Sequence, residues 1–509
     1  MTDWPELTPL DAHNDTLTRN VCPEDWVNPT PQGRYNLVVI GAGAAGLITS
    51  AVAAGLGARV ALVEGHHLGG DCLNVGCVPS KSVIRAARMV AEARRAAEEL
   101  GLPLAADAVP DFSRVMERMR RIRAQISAED AATRYRDELG VDVYRGHARF
   151  TDSGTVAVGD QELRFRKAVI ATGARATRPR IPGLEEAGYR TNEDIFHLTD
   201  RPERLGVIGA GPIGCELAQA FQRLGCKVTL LHADGHLLPR ENPEAAAIVA
   251  ARFAREGVRV VDACEIQAAE RRADGRAIRF RHADGREETL LCDEILVGVG
   301  RAPNVADLGL EHVDVAFDAH EGIQVDDYLR TTNHRIFAAG DACMRWKFTH
   351  AADAAAKLVV RNALFLPTAK VSNLVMPWCT YTDPEIAHVG MYPDEAQARG
   401  VDLDAFRVPL SEVNRAVTDG EAEGFVEVYT EKGKDRIAGA TIVSSHAGEM
   451  ISEVTLAMTQ GIGLGKLLDV IHPYPTQAEG IKRAAGAWVR TRLTPFTAGA
   501  LRRWMALQR

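Results

Sequence analysis

The 509-residue sequence contains no uninterrupted apolar stretch near the ~18–20 residues that a membrane-spanning helix requires. Its first residues also lack the basic, apolar and small-residue order of a secretory signal peptide. The formal net charge is -8, so the chain lacks the basic excess typical of proteins that bind nucleic acids. These absences predict a cytoplasmic protein that associates with neither nucleic acid nor membranes.

Cysteine is scattered: nine cysteines are spread between Cys22 and Cys379, which is not the dense framework of a secreted disulfide scaffold. Only Cys72 and Cys77 are close in sequence. In a reducing compartment such a pair is more often catalytic or metal-binding than structural. No second cysteine or histidine pair at ligand spacing accompanies it, so we predict a redox pair and no resident metal.

The chain is long enough for three or four domains of ~100–200 residues each. Residues 1–33 carry five prolines and no apolar period, which predicts an extended or poorly ordered arm. Beyond the arm, a segment that starts at Ile40 is repeated from Ile208, an offset of 168 residues. Each copy contains an apolar strand, a glycine turn, an Ala-rich helix and a second strand. The repeat therefore predicts two dinucleotide-binding units.

The first glycine turn contains Gly41, Gly43 and Gly46. In such turns the first glycine permits the sharp bend, the second lets a pyrophosphate approach the backbone, and the third lets the helix pack on the sheet. The N-terminus of the helix then presents its N–H groups and positive dipole end to the phosphates. Glu64 lies 23 residues after Gly41, where a carboxylate would accept hydrogen bonds from a ribose.

The second turn contains Gly209, Gly211 and Gly214, and the offset puts His232 at the position of Glu64. The acid that favours an unphosphorylated ribose is therefore missing. An adjacent arginine cluster for a 2′-phosphate is missing as well. The sequence leaves NADH and NADPH open.

The segment GGDCLNVGCVPSK carries the cysteine pair, and a helix is predicted over 79–100 directly after it. A thiolate at a helix N-terminus is stabilised by the dipole, which depresses its pKa and prepares it for exchange or charge transfer. A second long helix is predicted over 111–139, with Asp111 as its N-cap and Gly140 as its stop.

This cysteine motif, the two glycine turns and three shorter motifs (Ala171-Thr172-Gly173, Gly340-Asp341 and Thr382-Asp383-Pro384-Glu385) resemble the class I pyridine nucleotide-disulfide oxidoreductases. That family includes glutathione reductase, dihydrolipoamide dehydrogenase and mercuric reductase, and the similarity covers roughly residues 34–485. The resemblance implies FAD, NADPH or NADH, and a homodimer. It also implies an α/β fold with two Rossmann-like domains, for FAD and NAD(P), and a C-terminal α+β dimerisation domain. The implied order is an N-terminal extension (1–33), the FAD domain (34–182), the NAD(P) domain (183–300), the rest of the FAD domain (301–371) and the interface domain with a basic tail (372–509).

The resemblance also implies roles for single residues. Cys72 would be the exchange thiol that meets the acceptor, and Cys77 the thiol against the flavin. Lys81 would lie near the reactive edge of the flavin, paired with Glu216. The implied FAD residues are Gly41, Gly43, Gly46, Glu64, Lys81, Ala171, Thr172, Gly173, Gly340 and Asp341. The implied NAD(P) residues are Gly209, Gly211, Gly214, His232 and Gly300.

The C-terminal motif departs from the disulfide reductases of the family, whose pattern His-x-His-Pro-Thr-x-x-Glu supplies an acid/base histidine. Here Tyr474 occupies the acid/base position, while His472 falls on the first histidine and Glu479 on the glutamate. A tyrosine with an ordinary pKa of ~10 is a poor proton shuttle at neutral pH. Tyrosine at this place is similar to mercuric reductases, although the tail, residues 493–509, lacks their vicinal cysteines.

Three hypotheses follow. The first is a mercuric reductase-like enzyme that reduces a metal ion or another non-thiol acceptor. The second is a dihydrolipoamide dehydrogenase or other disulfide reductase in which His472 takes the acid/base role. The third is a redox-sensing flavoprotein whose cysteine state controls a partner through the basic tail.

Overall fold

The computed structural model describes residues 6–101, 103 and 109–509. The chain forms two compact units, which are treated separately below: residues up to 233 together with 257–373, and residues 234–256 together with 374–509. Among the described residues, no helix is both long and apolar enough to cross a membrane.

The helices of the first unit are α1 (Ala12–Val21), α2 (Ala44–Gly55), α3 (Gly70–Asn74), α4 (Cys77–Leu100), α5 (Phe112–Ile126), α6 (Ala132–Asp137), α7 (Leu184–Ala187), α8 (Pro212–Arg223) and α10 (Thr349–Leu364). Those of the second unit are α9 (Pro243–Glu256), α11 (Pro393–Ala398), α12 (Asn414–Thr418), α13 (Ala447–Thr459), α14 (Leu464–Leu467), α15 (Glu479–Thr491) and α16 (Pro495–Leu507).

The strands of the first unit are β1 (Arg34–Ile40), β2 (Val60–Glu64), β3 (Asp142–Arg145), β4 (Ala148–Asp152), β5 (Thr155–Val158), β6 (Gln161–Ile170), β7 (Ala174–Ala176), β8 (Arg204–Ile208), β9 (Lys227–Leu231), β10 (Arg259–Val261), β11 (Glu265–Arg272), β12 (Gly275–Arg281), β13 (Glu287–Cys292), β14 (Glu294–Val297), β15 (Arg301–Pro303), β16 (Phe317–Asp318), β17 (Gly322–Ile323) and β18 (Ile336–Ala338). Those of the second are β19 (Pro377–Thr380), β20 (Glu385–Gly390), β21 (Leu403–Pro409), β22 (Phe425–Glu431) and β23 (Ile437–Ser444).

The largest sheet of the first unit is parallel at its centre. Strand β1 pairs in parallel with β2 and β6, β2 with β3, and β18 with the end of β6. The apolar run of β1 is buried throughout 37–40, as expected for a parallel strand covered on both faces. Because the carboxyl ends of parallel strands meet at one edge, the loops after β1, β2, β6 and β18 converge there.

A second parallel sheet has the strand order β10-β9-β8-β14, and the antiparallel sheet β11-β12-β13 packs beside it. The loops after β8, β9, β10 and β14 therefore share an edge in the same way. The two Rossmann-like units that the repeat predicts are both present, which confirms the predicted fold class.

The prediction for residues 1–33 is wrong over α1. The Asp11 side chain caps this helix by accepting hydrogen bonds from the backbone N–H groups of His13 and Asn14, at 3.0 and 2.9 Å. Leu17 and Val21 are fully buried, and the helix packs against α5. A single apolar pair gives no visible period in the sequence, and a ten-residue helix owes its stability to tertiary packing.

The helix predicted over 111–139 is interrupted. It starts as predicted, with the Asp111 side chain accepting a hydrogen bond from the Arg114 N–H, but α5 ends at Ile126 and α6 starts only at Ala132. Ser127, at the break, donates to the carbonyl of Ala124 and accepts from Asn20 of α1. The interruption therefore involves a contact with a distant segment.

The second unit is built on an antiparallel sheet of order β19-β20-β23-β22-β21. Helices α13, α14 and α15 share one apolar core with the sheet. Residues 234–256, which lie inside the predicted NAD(P) segment, belong to this unit. The buried carboxylate of Glu241 accepts hydrogen bonds here from Trp378, Thr380 and Tyr392.

Candidate active site

The first glycine turn follows β1 at the convergent sheet edge. Gly41 has a φ of +100°, and a Cβ atom there would overlap the carbonyl of Ala171. A Cβ on Gly46 would overlap the carbonyl of Gly41, so the helix can approach the strand only without a side chain. At Gly43, by contrast, the nearest atom to an added Cβ is the Cα of Gly70, 3.8 Å away. Protein packing thus requires the first and third glycines, whereas the second borders open space.

Glu64 ends β2 beside this turn. Its Oε2 accepts a hydrogen bond from the Ala42 N–H at 2.6 Å, and its Oε1 accepts one from the His66 N–H at 2.7 Å. Burial raises the pKa of Glu64, while these backbone N–H groups oppose the rise. Each carboxylate oxygen retains acceptor capacity that a ribose hydroxyl can use.

The other predicted FAD segments border the same edge. Thr172 Oγ1 donates to the carbonyl of Asn304 at 2.7 Å, and the Asn304 N–H donates to the carbonyl of Gly173 at 2.9 Å. Gly340 follows β18, in register with the end of β6, and has a φ of +75°. Three chain segments far apart in sequence therefore lie beside the first glycine turn.

The second glycine turn has the same construction. Gly209 has a φ of +106°, and its added Cβ would lie 2.5 Å from the carbonyl oxygen of Gly298. A Cβ on Gly214 would overlap the carbonyl of Gly209. At Gly211 the nearest atom lies 4.0 Å away, so this turn also leaves its second glycine open. Gly300, with a φ of +118°, follows shortly after the neighbouring strand β14.

The strand ends differ between the two turns. The His232 side chain is 1% exposed, and its Nε2 lies 2.6 Å from Oδ1 of Asp262 at the end of β10. The Asp262 side chain is 52% exposed. A carboxylate therefore lies near this strand end, although it comes from the next strand and not from the position aligned with Glu64.

The two cysteines lie on consecutive helices. Cys72 belongs to α3, α4 starts at Cys77, and both cysteines are free thiols. The hydrogen bond from Cys72 is the main cause that lowers the pKa of Cys77 to about 6; the Thr349 hydroxyl and Lys81 also lower it, and burial opposes them. The same pairing, together with burial, raises the pKa of Cys72. These opposite shifts favour the thiolate on Cys77 and the proton on Cys72.

Lys81 lies one helical turn beyond Cys77 and forms an ion pair with Glu216, with Nζ 2.8 Å from Oε2. The Glu216 side chain is 6% exposed and lies on α8, the helix of the second glycine turn. This ion pair therefore connects the cysteine helix to the second dinucleotide unit.

Sequence reasoning missed a charged cluster next to the cysteines. The Arg301 guanidinium pairs with Asp71, the residue before Cys72, and its Nε lies 3.5 Å from Oδ2 of Asp341. Burial raises the pKa of Asp341, and the Arg301 charge opposes that rise. The available signal was adjacency, since Arg301 follows Gly300 and Asp71 precedes Cys72.

Thr349 was missed as well. Its Oγ1 lies 3.3 Å from Sγ of Cys77, and it is the first residue of α10. The Ala-rich run that follows it predicts a helix, but no sequence pattern says that this helix starts beside the cysteine.

The C-terminal motif lies in the second unit. The side chain of His472 is only 7% exposed, and its Nε2 contacts Glu453 Oε1 at 3.0 Å. Its Nδ1 lies 3.3 Å from the carbonyl oxygen of Val470. Both ring nitrogens of His472 are therefore engaged within its own unit.

Tyr474 differs from His472: the residue is 71% exposed, and its hydroxyl accepts a hydrogen bond from Asn414 Nδ2 at 3.0 Å. Glu479 Oε1 accepts from Arg483 on the next turn of α15, at 3.0 Å from Nε and 2.9 Å from Nη2. Tyr474 thus presents its ring and hydroxyl at the surface, while Glu479 is paired with a cation.

The chain has two glycine turns whose second positions are open, and the Cys72–Cys77 pair lies beside the first turn. This combination is typical of a flavin- and nicotinamide-dependent dithiol oxidoreductase. Residues 35–356 match the model of the pyridine nucleotide-disulphide oxidoreductase family, and residues 376–485 match its dimerisation domain. The chain belongs to this family. It is accordingly an FAD-containing NAD(P)H oxidoreductase, and the dimerisation domain supports a homodimer.

The chain is similar to relatives that carry different enzyme names. A mercuric reductase of Staphylococcus aureus is 34% identical over 465 residues, which cover 91% of this chain and 84% of the relative. A dihydrolipoyl dehydrogenase of Geobacillus stearothermophilus is also 34% identical, over 88% of this chain and 95% of the relative. The Cu(II) complex of the HOCl-induced flavoprotein disulfide reductase RclA from Escherichia coli superimposes with a TM-score of 0.80 at 26% identity, covering 90% of this chain and all of that one.

Proposed function

We propose that this enzyme passes electrons from NAD(P)H through FAD and the Cys72–Cys77 pair to a metal ion or another non-thiol acceptor, in the manner of mercuric reductases. The observation that carries the proposal is the surface position of Tyr474 where disulfide reductases of the family have a histidine. The mercuric reductase relatives support the same choice. We also propose the cytoplasm as its location.

Bound FAD would supply the chemistry that links NAD(P)H to the disulfide, namely acceptance of a hydride and release of an electron pair. The residues around the two glycine turns fit FAD and a nicotinamide nucleotide, because each open second glycine adjoins a helix N-terminus. In the reduced pair, Cys77 carries the thiolate and Cys72 retains the proton, as their opposite pKa shifts indicate. The ion pair between Lys81 and Glu216 would hold α4 against α8 and so fix the cysteine helix relative to the second glycine turn.

The acceptor decides whether a proton donor is needed. Reduction of a disulfide releases a thiolate, which a neighbouring acid must protonate near neutral pH. Reduction of a metal ion breaks no disulfide and needs no such acid. Here the His472 side chain contacts Glu453, and the Glu479 carboxylate forms an ion pair with Arg483. A soft metal ion binds thiolates directly, so Cys72 and Cys77 can bind it without a proton donor.

The dimerisation domain bears on how this site is completed. By the family resemblance, Tyr474 and Glu479 face Cys72 of the partner subunit, so that each active site is shared. Loss of dimerisation would then abolish acceptor reduction and leave flavin reduction by NAD(P)H intact.

One observation favours a second candidate, the disulfide reductase. The pairing of His472 with Glu453 resembles a histidine–carboxylate acid/base pair, which is a common proton shuttle. If His472 acts in this way, His472→Ala would abolish lipoamide turnover, whereas Tyr474→Phe would change it little.

The test is anaerobic oxidation of NADH and of NADPH by FAD-loaded enzyme, with Hg(II) in excess thiol, a quinone, lipoamide or glutathione disulfide as acceptor. We expect turnover with Hg(II) or the quinone and not with the disulfides. We expect Tyr474→Phe to lower Hg(II) turnover about tenfold, the value of one lost polar contact, and His472→Ala to leave it nearly unchanged. Brisk lipoamide turnover that His472→Ala abolishes would overturn the proposal in favour of the second candidate.

A further inference from the structure

The segment before the family match is part of the folded unit. The match starts at residue 35, yet Asn14, Leu17 and Val21 of α1 are buried. This segment is linked to the loop that carries the redox cysteines at two places.

The first contact is a chain of hydrogen bonds through a buried arginine. Arg123 of α5 donates from Nη2 to Asn14 Oδ1 at 2.8 Å and from Nη1 to the carbonyl oxygen of Asn74 at 2.7 Å. The Arg123 side chain is fully buried. Asn74 lies two residues after Cys72 and three before Cys77 and ends α3, so its carbonyl would otherwise lack a helical partner.

The second contact is made by the backbone. The Leu68 N–H donates to the carbonyl of Val21 at 3.0 Å. Asn74 Nδ2 in turn donates to the carbonyls of Leu68 and Gly70, at 3.0 and 2.9 Å. Both ends of the segment that precedes Cys77 are therefore fastened to α1, one directly and one through Arg123.

The arginine depends on these partners. Among the described residues, no carboxylate hydrogen-bonds to Arg123, and its Nε has no hydrogen-bond partner. Each unpaired donor on a buried charge is costly, and Arg123 already has one, so removal of the Asn14 oxygen should cause Arg123 to shift. That shift would also free the carbonyl of Asn74.

We propose that α1, acting through Arg123, is a positioning element that holds the loop between Cys72 and Cys77 and thereby sets the reduction potential of the pair. The inference rests on the proposed redox role of these two cysteines. When the disulfide forms, an Sγ–Sγ bond replaces the thiol–thiolate pair, two electrons pass to the oxidant and the Cys72 proton goes to solvent. A fixed loop raises the effective concentration of one sulfur at the other and favours the disulfide. Loosening the loop should make the disulfide easier to reduce.

The test compares variants on the same helix. FAD-loaded enzyme is equilibrated in dithiothreitol redox buffers, the thiols are trapped by alkylation, and the Cys72–Cys77 disulfide is quantified by mass spectrometry. Asn14→Ala is expected to lower the equilibrium constant for disulfide formation about tenfold, which raises the potential by about 30 mV. Asn20→Ala is the matched control, because Asn20 hydrogen-bonds to Ser127 and not to the cysteine loop. It should leave the potential unchanged.

Two further variants keep the test decisive. Asn14→Asp retains an acceptor for Arg123 and should keep the wild-type potential. Arg123→Lys cannot bridge both partners and should shift the potential in the same direction as Asn14→Ala, even if the latter variant does not load FAD. Equal potentials for Arg123→Lys, Asn14→Ala and Asn20→Ala would overturn the inference. Absence of any Cys72–Cys77 disulfide in the wild-type enzyme would instead overturn the proposed function.

Discussion

The two glycine turns agree in their backbone and differ at the ends of the following strands. Gly41 and Gly209 have nearly equal φ angles, +100° and +106°, and each abuts the backbone of a neighbouring strand end. Glu64 turns back onto its own glycine turn, whereas His232 pairs with Asp262 of the adjacent strand. Steric requirements thus fix the backbone of both glycine turns, while the contacts at the following strand ends differ.

The difference suits a cofactor that stays and one that leaves. Glu64 is held by two backbone N–H groups, and we expect this fixed carboxylate to suit a permanently bound ribose. Asp262 is half-exposed and held by one contact to His232. We therefore expect the first dinucleotide unit to retain FAD and the second dinucleotide unit to exchange its nucleotide.

The largest expected effect comes from disrupting the close packing at the third glycine, which the two turns share. Gly46→Ala should lower the free energy of unfolding by more than about 4 kcal/mol and abolish FAD retention, because its Cβ would overlap the Gly41 carbonyl. Gly43→Ala is the matched control: it should fold with a melting temperature near that of the wild type and lose FAD affinity at least ~tenfold. Thermal denaturation and bound-flavin absorbance measure both. A stable, FAD-loaded Gly46→Ala protein would contradict the steric account.

The next effect concerns the ion pair between Lys81 and Glu216, which connects the cysteine helix to the second dinucleotide unit. Glu216→Gln should slow flavin reduction by NAD(P)H about tenfold, since α4 and α8 lose their charged contact and the reacting groups lose alignment. Stopped-flow absorbance under anaerobic conditions measures this rate. Lys81→Met should have a similar effect, and the double variant should be no slower than either single one. Additive losses would show that the two residues act separately.

A smaller effect is expected at the strand ends, where Asp262 should influence the preference between NADH and NADPH. The carboxylate of Asp262 should repel a 2′-phosphate, so the enzyme should prefer NADH. Asp262→Asn should shift the ratio of kcat/KM values toward NADPH about fivefold, the value of ~1 kcal/mol for one charge in a solvated site. Steady-state kinetics with both nucleotides measures the ratio. Glu270→Gln, which removes an exposed acid from β11, is the control and should leave the ratio unchanged.

The smallest effect concerns the thiolate beside the first turn. The pKa of Cys77 is lowered to about 6, so its thiolate should persist down to that pH and be lost as the pH falls further. The long-wavelength charge-transfer absorbance of the two-electron-reduced enzyme should fall with the same midpoint. Thr349→Val removes one hydroxyl hydrogen bond and should raise the midpoint by less than about one pH unit. Thr368→Val, at an exposed position, is the control.

The local parts of the fold were predictable because the sequence patterns that specify them involve residues close together along the chain. The strand–turn–helix pattern of each unit fixes both glycine turns, and the N-cap at Asp111 is confirmed. Helix α1 was missed because its stabilising contacts come from α5. The grouping of residues 234–256 with the C-terminal region escaped sequence reasoning for the same reason, since Glu241 finds its partners beyond residue 377.

The sequence by itself determined two dinucleotide units, a cysteine pair at a helix start, and a tyrosine in place of a histidine. Each depends on residues close together along the chain, where spacing alone specifies geometry. Only the tertiary structure decided that Arg301 joins Asp71 and Asp341, and that Arg123 links α1 to the cysteine loop. Such contacts join residues dozens to hundreds of positions apart, and their energy depends on burial and orientation that no local pattern encodes.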